Sequence, residues 1–125
     1  MLVHMLDSAP KAIGPYCHAT QVGALVFCSG QTPLDPNSME IAGDSVAEQT
    51  EQALRNLEIV LVGLGLSLQD VAKTTVFLTD MSHFAAMNEA YARCFGEHTP
   101  ARTTVAVKAL PKDALVEIEC IAQAA

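Results

Sequence analysis

Two periods organise the apolar positions of this chain. Leu25 to Ser29 is a short apolar run rich in β-formers that stops at Gly30, and it reads as a strand. Pro33 to Ser38 follows, where two prolines cannot donate ladder hydrogen bonds and Asp35 and Asn37 favour turns, so the chain reverses or wanders there. Val46, Ala53, Leu54, Leu57, Val60, Leu61 and Leu64 then recur every three or four residues, with Glu48, Glu51, Gln52, Arg55 and Glu58 mostly on the other side. This predicts an amphipathic helix ending near Gly63 or Gly65, opened by Ser45 and Glu48 at capping-box spacing. Val71 to Leu78 is rich in β-branched residues and reads as a strand. Ser82 is placed to cap a second helix with an apolar face of Phe84, Met87, Tyr91, Cys94 and Phe95, closed by Gly96.

Two further strands are predicted, Arg102 to Ala109 and Leu115 to Ala122, joined as a hairpin through Leu110 to Ala114. Alternation puts Arg102, Thr104, Ala106 and Lys108 on one face of the first, and Glu117 and Glu119 together on one face of the second. Either this face lines a polar cleft, or Lys108 and Glu117 form a cross-strand ion pair, the partners expected if the hairpin is symmetric about Lys112 and Asp113. That register sets Arg102 opposite position 123, roughly 20 Å along the strand from Glu117. On this expectation, a small-molecule site using both residues has to be built between subunits. The order of elements predicts an α+β fold with two helices on one face of a mixed sheet, leaving the other face for another copy of the chain to cover.

Composition narrows the function. The 125 residues form one domain, 1–125, half apolar and 17% charged, with a mean hydropathy of +0.28 that points to apolar surface hidden between subunits. A net charge of −7 and a pI near 4.8 argue against a nucleic-acid partner, which calls for a basic face. The N-terminus has no cationic start followed by an apolar run, and the longest apolar stretch, Ile59 to Leu68, is too short to cross a membrane. A cytoplasmic location without membrane contact is the expectation. Cys17, Cys28, Cys94 and Cys120 lack CxxC spacing, and His4, His18, His83 and His98 lack HxH or HExxH spacing, so no metal site or disulfide framework is expected. Adjacent Cys17 and His18 point to opposite sides of an extended segment and make no dyad. Cys28-Ser29-Gly30 lacks the GxSxG context of a hydrolase elbow, and Gly30 reads equally as a strand terminator or a ligand contact.

One set of motifs goes further. Ala12 to Tyr16, Ser29-Gly30-Gln31, Glu48-Gln49-Thr50, Asn56-Leu57, Lys73 to Leu78 with Asp80, Asn88 with Tyr91 and Phe95, Pro100-Ala101-Arg102, Leu110-Pro111-Lys112 and Val116 to Glu119 occur in this order along nearly the whole chain. In that series the chain resembles the Rid, or YjgF, family of reactive imine/enamine deaminases. The resemblance implies a chorismate-mutase-like fold assembled as a homotrimer, with active sites in the inter-subunit clefts. It implies hydrolysis of 2-imino acids or their enamine tautomers (2-aminoacrylate, 2-iminopropanoate, 2-iminobutanoate) to 2-keto acids and ammonia, with no metal or organic cofactor. It assigns Arg102 to the substrate carboxylate and Glu117 to the attacking water, with Tyr16, Ser29, Gly30, Phe84, Asn88 and Thr104 around the substrate. Alternation leaves open whether Glu117 or Glu119 faces the cleft. The sequence departs from the family pattern at Thr103-Thr104, where the best-known deaminases have Ser-Cys, and at Cys17-His18, both of which bear on pocket shape. Two other functions fit such a chain: a single-strand ribonuclease or translation inhibitor, an activity also ascribed to this family, and a regulatory trimer that binds carboxylate metabolites without turning them over.

Overall fold

In the computed structural model of the chain, which describes residues 1–124, the alternating segments form one six-stranded sheet. The strands are β1 (Leu2–His4), β2 (Ala19–Val22), β3 (Leu25–Gln31), β4 (Val71–Leu78), β5 (Ala101–Ala106) and β6 (Val116–Gln123), and the helices are α1 (Val46–Gly63) and α2 (Phe84–Phe95). The order across the sheet is β1-β2-β3-β6-β4-β5, antiparallel except for the parallel β4/β5 pair. A parallel pair needs a long crossover, and α2 supplies it. Both helices pack on one face of the sheet, as the element order predicts.

Helix α1 begins where its sequence says. The Ser45 hydroxyl accepts from the Glu48 amide at 3.1 Å, and the Glu48 carboxylate accepts from the Ser45 amide at 3.3 Å. Its stripe of Leu54, Leu57 and Leu61 meets Val76, Leu78, Val116 and Ile118 of the sheet and Met87 and Phe95 of α2, all of them essentially inaccessible to solvent. Ser82 is not the cap expected for α2. Its amide donates to the Asp80 carboxylate (2.8 Å) in a short 3-10 turn, Met81–His83, and the helix proper starts at Phe84 without a side-chain cap. Gly96 closes it at φ +66°, a conformation that favours glycine.

The expected terminal hairpin does not form. β5 pairs only with β4, while β6 inserts between β3 and β4. The physical reason lies in burial: Val116, Ile118, Cys120 and Ala122 are all buried on the helix side of β6, which a central strand achieves and an edge strand does not. The linker turns out of the hairpin path through Lys112 and Asp113, both at positive φ (56° and 58°). The Lys108–Glu117 ion pair expected from that hairpin is therefore absent, since the two strands that would carry it are not neighbours. β1 and β2 were not expected. They are short, β2 is of mixed polarity, and β2 turns into β3 through Gly23 at φ +59°.

The face that the helices leave open carries Leu25, Phe27, Phe77, Val105 and Ile121, and Leu25, Phe27 and Val105 are more than a third exposed. Among the described residues no helix is long and apolar enough to cross a membrane.

Candidate functional site

On the open face, Glu117 of β6 and Gly30 of β3 share a cavity of about 420 Å³ with Ile13, Tyr16, Thr32 and Pro111. The missing side chain of Gly30 makes room: a Cβ there would lie 2.7 Å from Glu117 Oε2. Burial pushes the Glu117 carboxyl above the usual carboxylate range, and the charge of Glu119 adds to the effect. Glu119 is exposed and does not line the cavity, so the fold settles which of the two carboxylates faces it. Tyr16 is held by the Ile13 amide, which donates to its hydroxyl at 3.1 Å. Ser29 donates its hydroxyl to the Cys17 carbonyl at 2.6 Å and so anchors the segment that carries Tyr16. Thr32 is held in turn by α1, because the buried Asn56 amide donates to the Thr32 and Leu34 carbonyls (3.1 and 2.9 Å).

On the helix side, Arg102 of β5 forms a second group. Its guanidinium carbon lies 4.9 Å from the Tyr91 ring centre and 5.6 Å from that of Phe84, and Nη1 approaches Met87 Sδ at 4.0 Å. Phe84, Met87 and Tyr91 recur at helical spacing, and Asn88 lies between them on the same side of α2. The Asn88 Oδ1 and Thr104 Oγ1 atoms are buried and have no hydrogen-bond partner. Two buried oxygens without a protein partner thus lie on the same side of the sheet as Arg102, which has no acidic partner among the described residues.

Arg102 and Glu117 do not meet within the chain. Thr74 of β4 is register-paired with Arg102 on one side and Cys120 on the other, and its side chain points to the helices, where it bonds Tyr91. Arg102 shares that face. Glu117, three residues before Cys120, takes the opposite face. Two strand spacings and three residues also separate their Cα atoms by about 14 Å. The expected register, with both on one face roughly 20 Å apart, is replaced by opposite faces and the shorter distance, and the two still do not meet within the chain.

His18, Cys28 and Cys120 are buried, and Cys17 and Cys94 are partly so. The buried His18 ring accepts from the Leu6 amide at Nδ1 (2.8 Å) and donates from Nε2 to the Pro10 carbonyl (2.7 Å). Cys28 and Cys120 face each other across β3 and β6, buried. No cluster of His, Cys, Asp or Glu suited to a metal occurs among the described residues. A further groove of about 320 Å³ between α1 and α2 holds the Arg93–Glu51 ion pair, and Arg55 on its wall donates to the neutral Gln52 side chain at 3.0 Å. Sequence reasoning missed Thr32 and Pro111 as cavity walls and took Tyr91 only as a core residue. The one available signal was the Tyr91 hydroxyl, which needs a polar partner on an otherwise apolar stripe.

Comparison with known proteins places this geometry. The family described as endoribonuclease L-PSP matches residues 6–124. The RutC family protein PH0854 of Pyrococcus horikoshii is 51% identical over 93% of this chain and 92% of its own length. TdcF of Escherichia coli K12, provisionally named a reactive intermediate deaminase, is 46% identical over 91% of this chain and 90% of its own. Among solved structures, E. coli TdcF with bound serine superposes with a TM-score of 0.91 at 42% identity, covering 100% of this chain and 99% of that one. A provisionally named endoribonuclease of Thermotoga maritima gives a TM-score of 0.92 at 48% identity, covering 100% and 98%.

Proposed function

Since the chain belongs to the endoribonuclease L-PSP family, the Rid or YjgF group that its motifs resemble, we propose that it is a hydrolytic deaminase of short-chain 2-imino acids. The observation that carries this reading is the state of Arg102. It is half-buried, lies against aromatic rings and has no acidic partner among the described residues, so its planar fork is free for a substrate carboxylate. The carboxylate held there places the C=N carbon. Water adds its oxygen to that carbon while the imine nitrogen gains a proton, giving a carbinolamine. Transfer of the hydroxyl proton to the nitrogen then breaks the C–N bond and releases ammonia and the 2-keto acid.

Glu117 is the group that takes the proton from water and returns it to the nitrogen, a role suited to a carboxyl whose proton affinity is already raised. Asn88 and Thr104 offer their unpaired oxygens to the substrate or its neighbours, Tyr16 and Phe84 wall the pocket, and Ser29 and Gly30 shape its backbone edge. Because Arg102 and Glu117 lie on opposite faces of one sheet, the complete site is formed between subunits of a homotrimer. The apolar open face supports that assembly.

Imines hydrolyse readily in water, so positioning supplies much of the acceleration and no strong nucleophile is called for. The test is an assay in which an amino acid oxidase generates imines from several amino acids and imine loss is followed with and without the protein. The expected result is faster loss for small side chains, reduced about 10²-fold or more by Arg102→Ala with the trimer intact. No acceleration for any imine by an intact trimer overturns the reading. Cleavage of single-stranded RNA that vanishes in Arg102→Ala supports the endoribonuclease reading instead, against which the net charge of −7 stands.

A further inference from the structure

An arginine that binds a carboxylate has to be held without using up its own N–H groups. Proteins usually hold a half-buried guanidinium with an acidic side chain, but that occupies the fork and cancels the charge. Here the holding is done by ring faces. The Arg102 guanidinium carbon lies 4.9 Å from the centre of the Tyr91 ring, within the range of a cation–π contact, and among the described residues its one hydrogen-bond-like contact is to the Met87 sulfur at 4.0 Å. A ring attracts the cation through its face and makes no demand on the in-plane N–H edge, which stays open to a ligand.

The Tyr91 ring is itself fixed. Its hydroxyl is 2.7 Å from Thr74 Oγ1, in the strand directly beside Arg102, and its ring packs against that of Phe95 at 4.6 Å between centres, tilted by 36°. Thr74 and Arg102 are register partners, so one strand pair carries both the tether and the cation. The tether fixes the long axis of the ring, and packing against Phe95 restrains rotation about that axis, so the ring keeps its face toward the guanidinium.

We infer that Tyr91, tethered by Thr74, is a positioning residue that presents the open edge of the Arg102 guanidinium to a substrate carboxylate. This rests on the reading of Arg102 as the carboxylate site. The Tyr91 hydroxyl takes no part in the chemistry.

Two probes of one carbon skeleton separate positioning from general packing: pyruvate, which is anionic, and pyruvamide, which is neutral. Each is titrated by calorimetry into the wild-type protein and into Arg102→Ala, Tyr91→Leu, Tyr91→Phe and Thr74→Val. Loss of the ring in Tyr91→Leu is expected to weaken pyruvate about tenfold and leave pyruvamide unchanged. Tyr91→Phe and Thr74→Val keep the ring and lose the tether, and are expected to weaken pyruvate alone by about two- to threefold. They carry the test should Tyr91→Leu fail to fold. If both probes weaken together, or pyruvate binds every Tyr91 and Thr74 variant as it binds wild type while Arg102→Ala loses it, the positioning role is overturned and the carboxylate site stands. If Arg102→Ala binds pyruvate no more weakly than wild type, both fall.

Discussion

Arg102 and Glu117 stand on opposite faces of one sheet, two strands apart, with Thr74 of the strand between them as the register partner of the first and Phe77 as that of the second. Side-chain direction in a sheet is set by residue parity, so no loop motion within a subunit brings the two together. A site that uses both must draw them from different copies. Arg102→Ala and Glu117→Gln subunits, each inactive alone, are therefore expected to recover imine hydrolysis when unfolded and reassembled in equal amounts. Random mixing gives about a quarter of the wild-type rate, since one site in four receives both intact residues. Mixtures as inactive as the separate variants would show that each subunit carries its own complete site.

Gly30 and Glu117 are in tighter contact. An added Cβ would press on the carboxylate end of Glu117 (2.7 Å to Oε2), and this end is flexible enough to swing away. Gly30→Ala is therefore expected to change stability by about 1 kcal/mol or less while lowering kcat at least tenfold, roughly as a misplaced catalytic group does. Urea denaturation read beside the imine assay checks both halves. A large loss of stability with unchanged kcat would contradict the arrangement.

The raised proton affinity of Glu117 sets a pH dependence. In its proposed role as base it must be ionised, so activity is expected to be lost as pH falls through its raised value, at a higher pH than an ordinary glutamate would give. Glu119→Gln removes the smaller of the two causes, a nearby negative charge, and is expected to move the acidic limb of the kcat/KM profile slightly downward. Burial, the larger cause, remains. The profile measured for both proteins decides this, and an upward movement would place Glu119 in another role.

Asn56 joins α1 to the cavity wall. It is fully buried, donates to the Thr32 and Leu34 carbonyls, and accepts from the Gln52 amide at 3.0 Å. Asn56→Ala removes both bonds and leaves a gap in the core, while the Thr32 carbonyl keeps the Leu34 amide (2.8 Å) and the Leu34 carbonyl keeps the Gln52 amide (3.5 Å), so it is expected to cost about 1–3 kcal/mol of stability by urea denaturation. Amide exchange should quicken first in the segment around Thr32 and Leu34.

Much of the fold was legible because the responsible forces are local. The α1 cap, the bounds of β4, the Gly96 terminus of α2 and the buried and exposed faces of β6 follow from hydrogen-bonding side chains and from periods of 3.6 and 2. The cap of α2 was misread because Asp80, two residues earlier, takes the Ser82 amide for itself. The site was legible in part. Arg102 and Glu117 stood out as charges in apolar strands, whereas Tyr91 looked like any core aromatic until its hydroxyl met Thr74.

By itself the sequence determined which residues share a side of β5 and of β6 and where the first helix begins. Only the tertiary structure decided that β6 runs between β3 and β4, that Glu117 rather than Glu119 enters the cavity, and that the Arg102 cation rests on Tyr91. Parity and helical period are properties of neighbouring residues. Strand partnership is a competition among distant segments for buried positions, and it is settled only when the whole core packs.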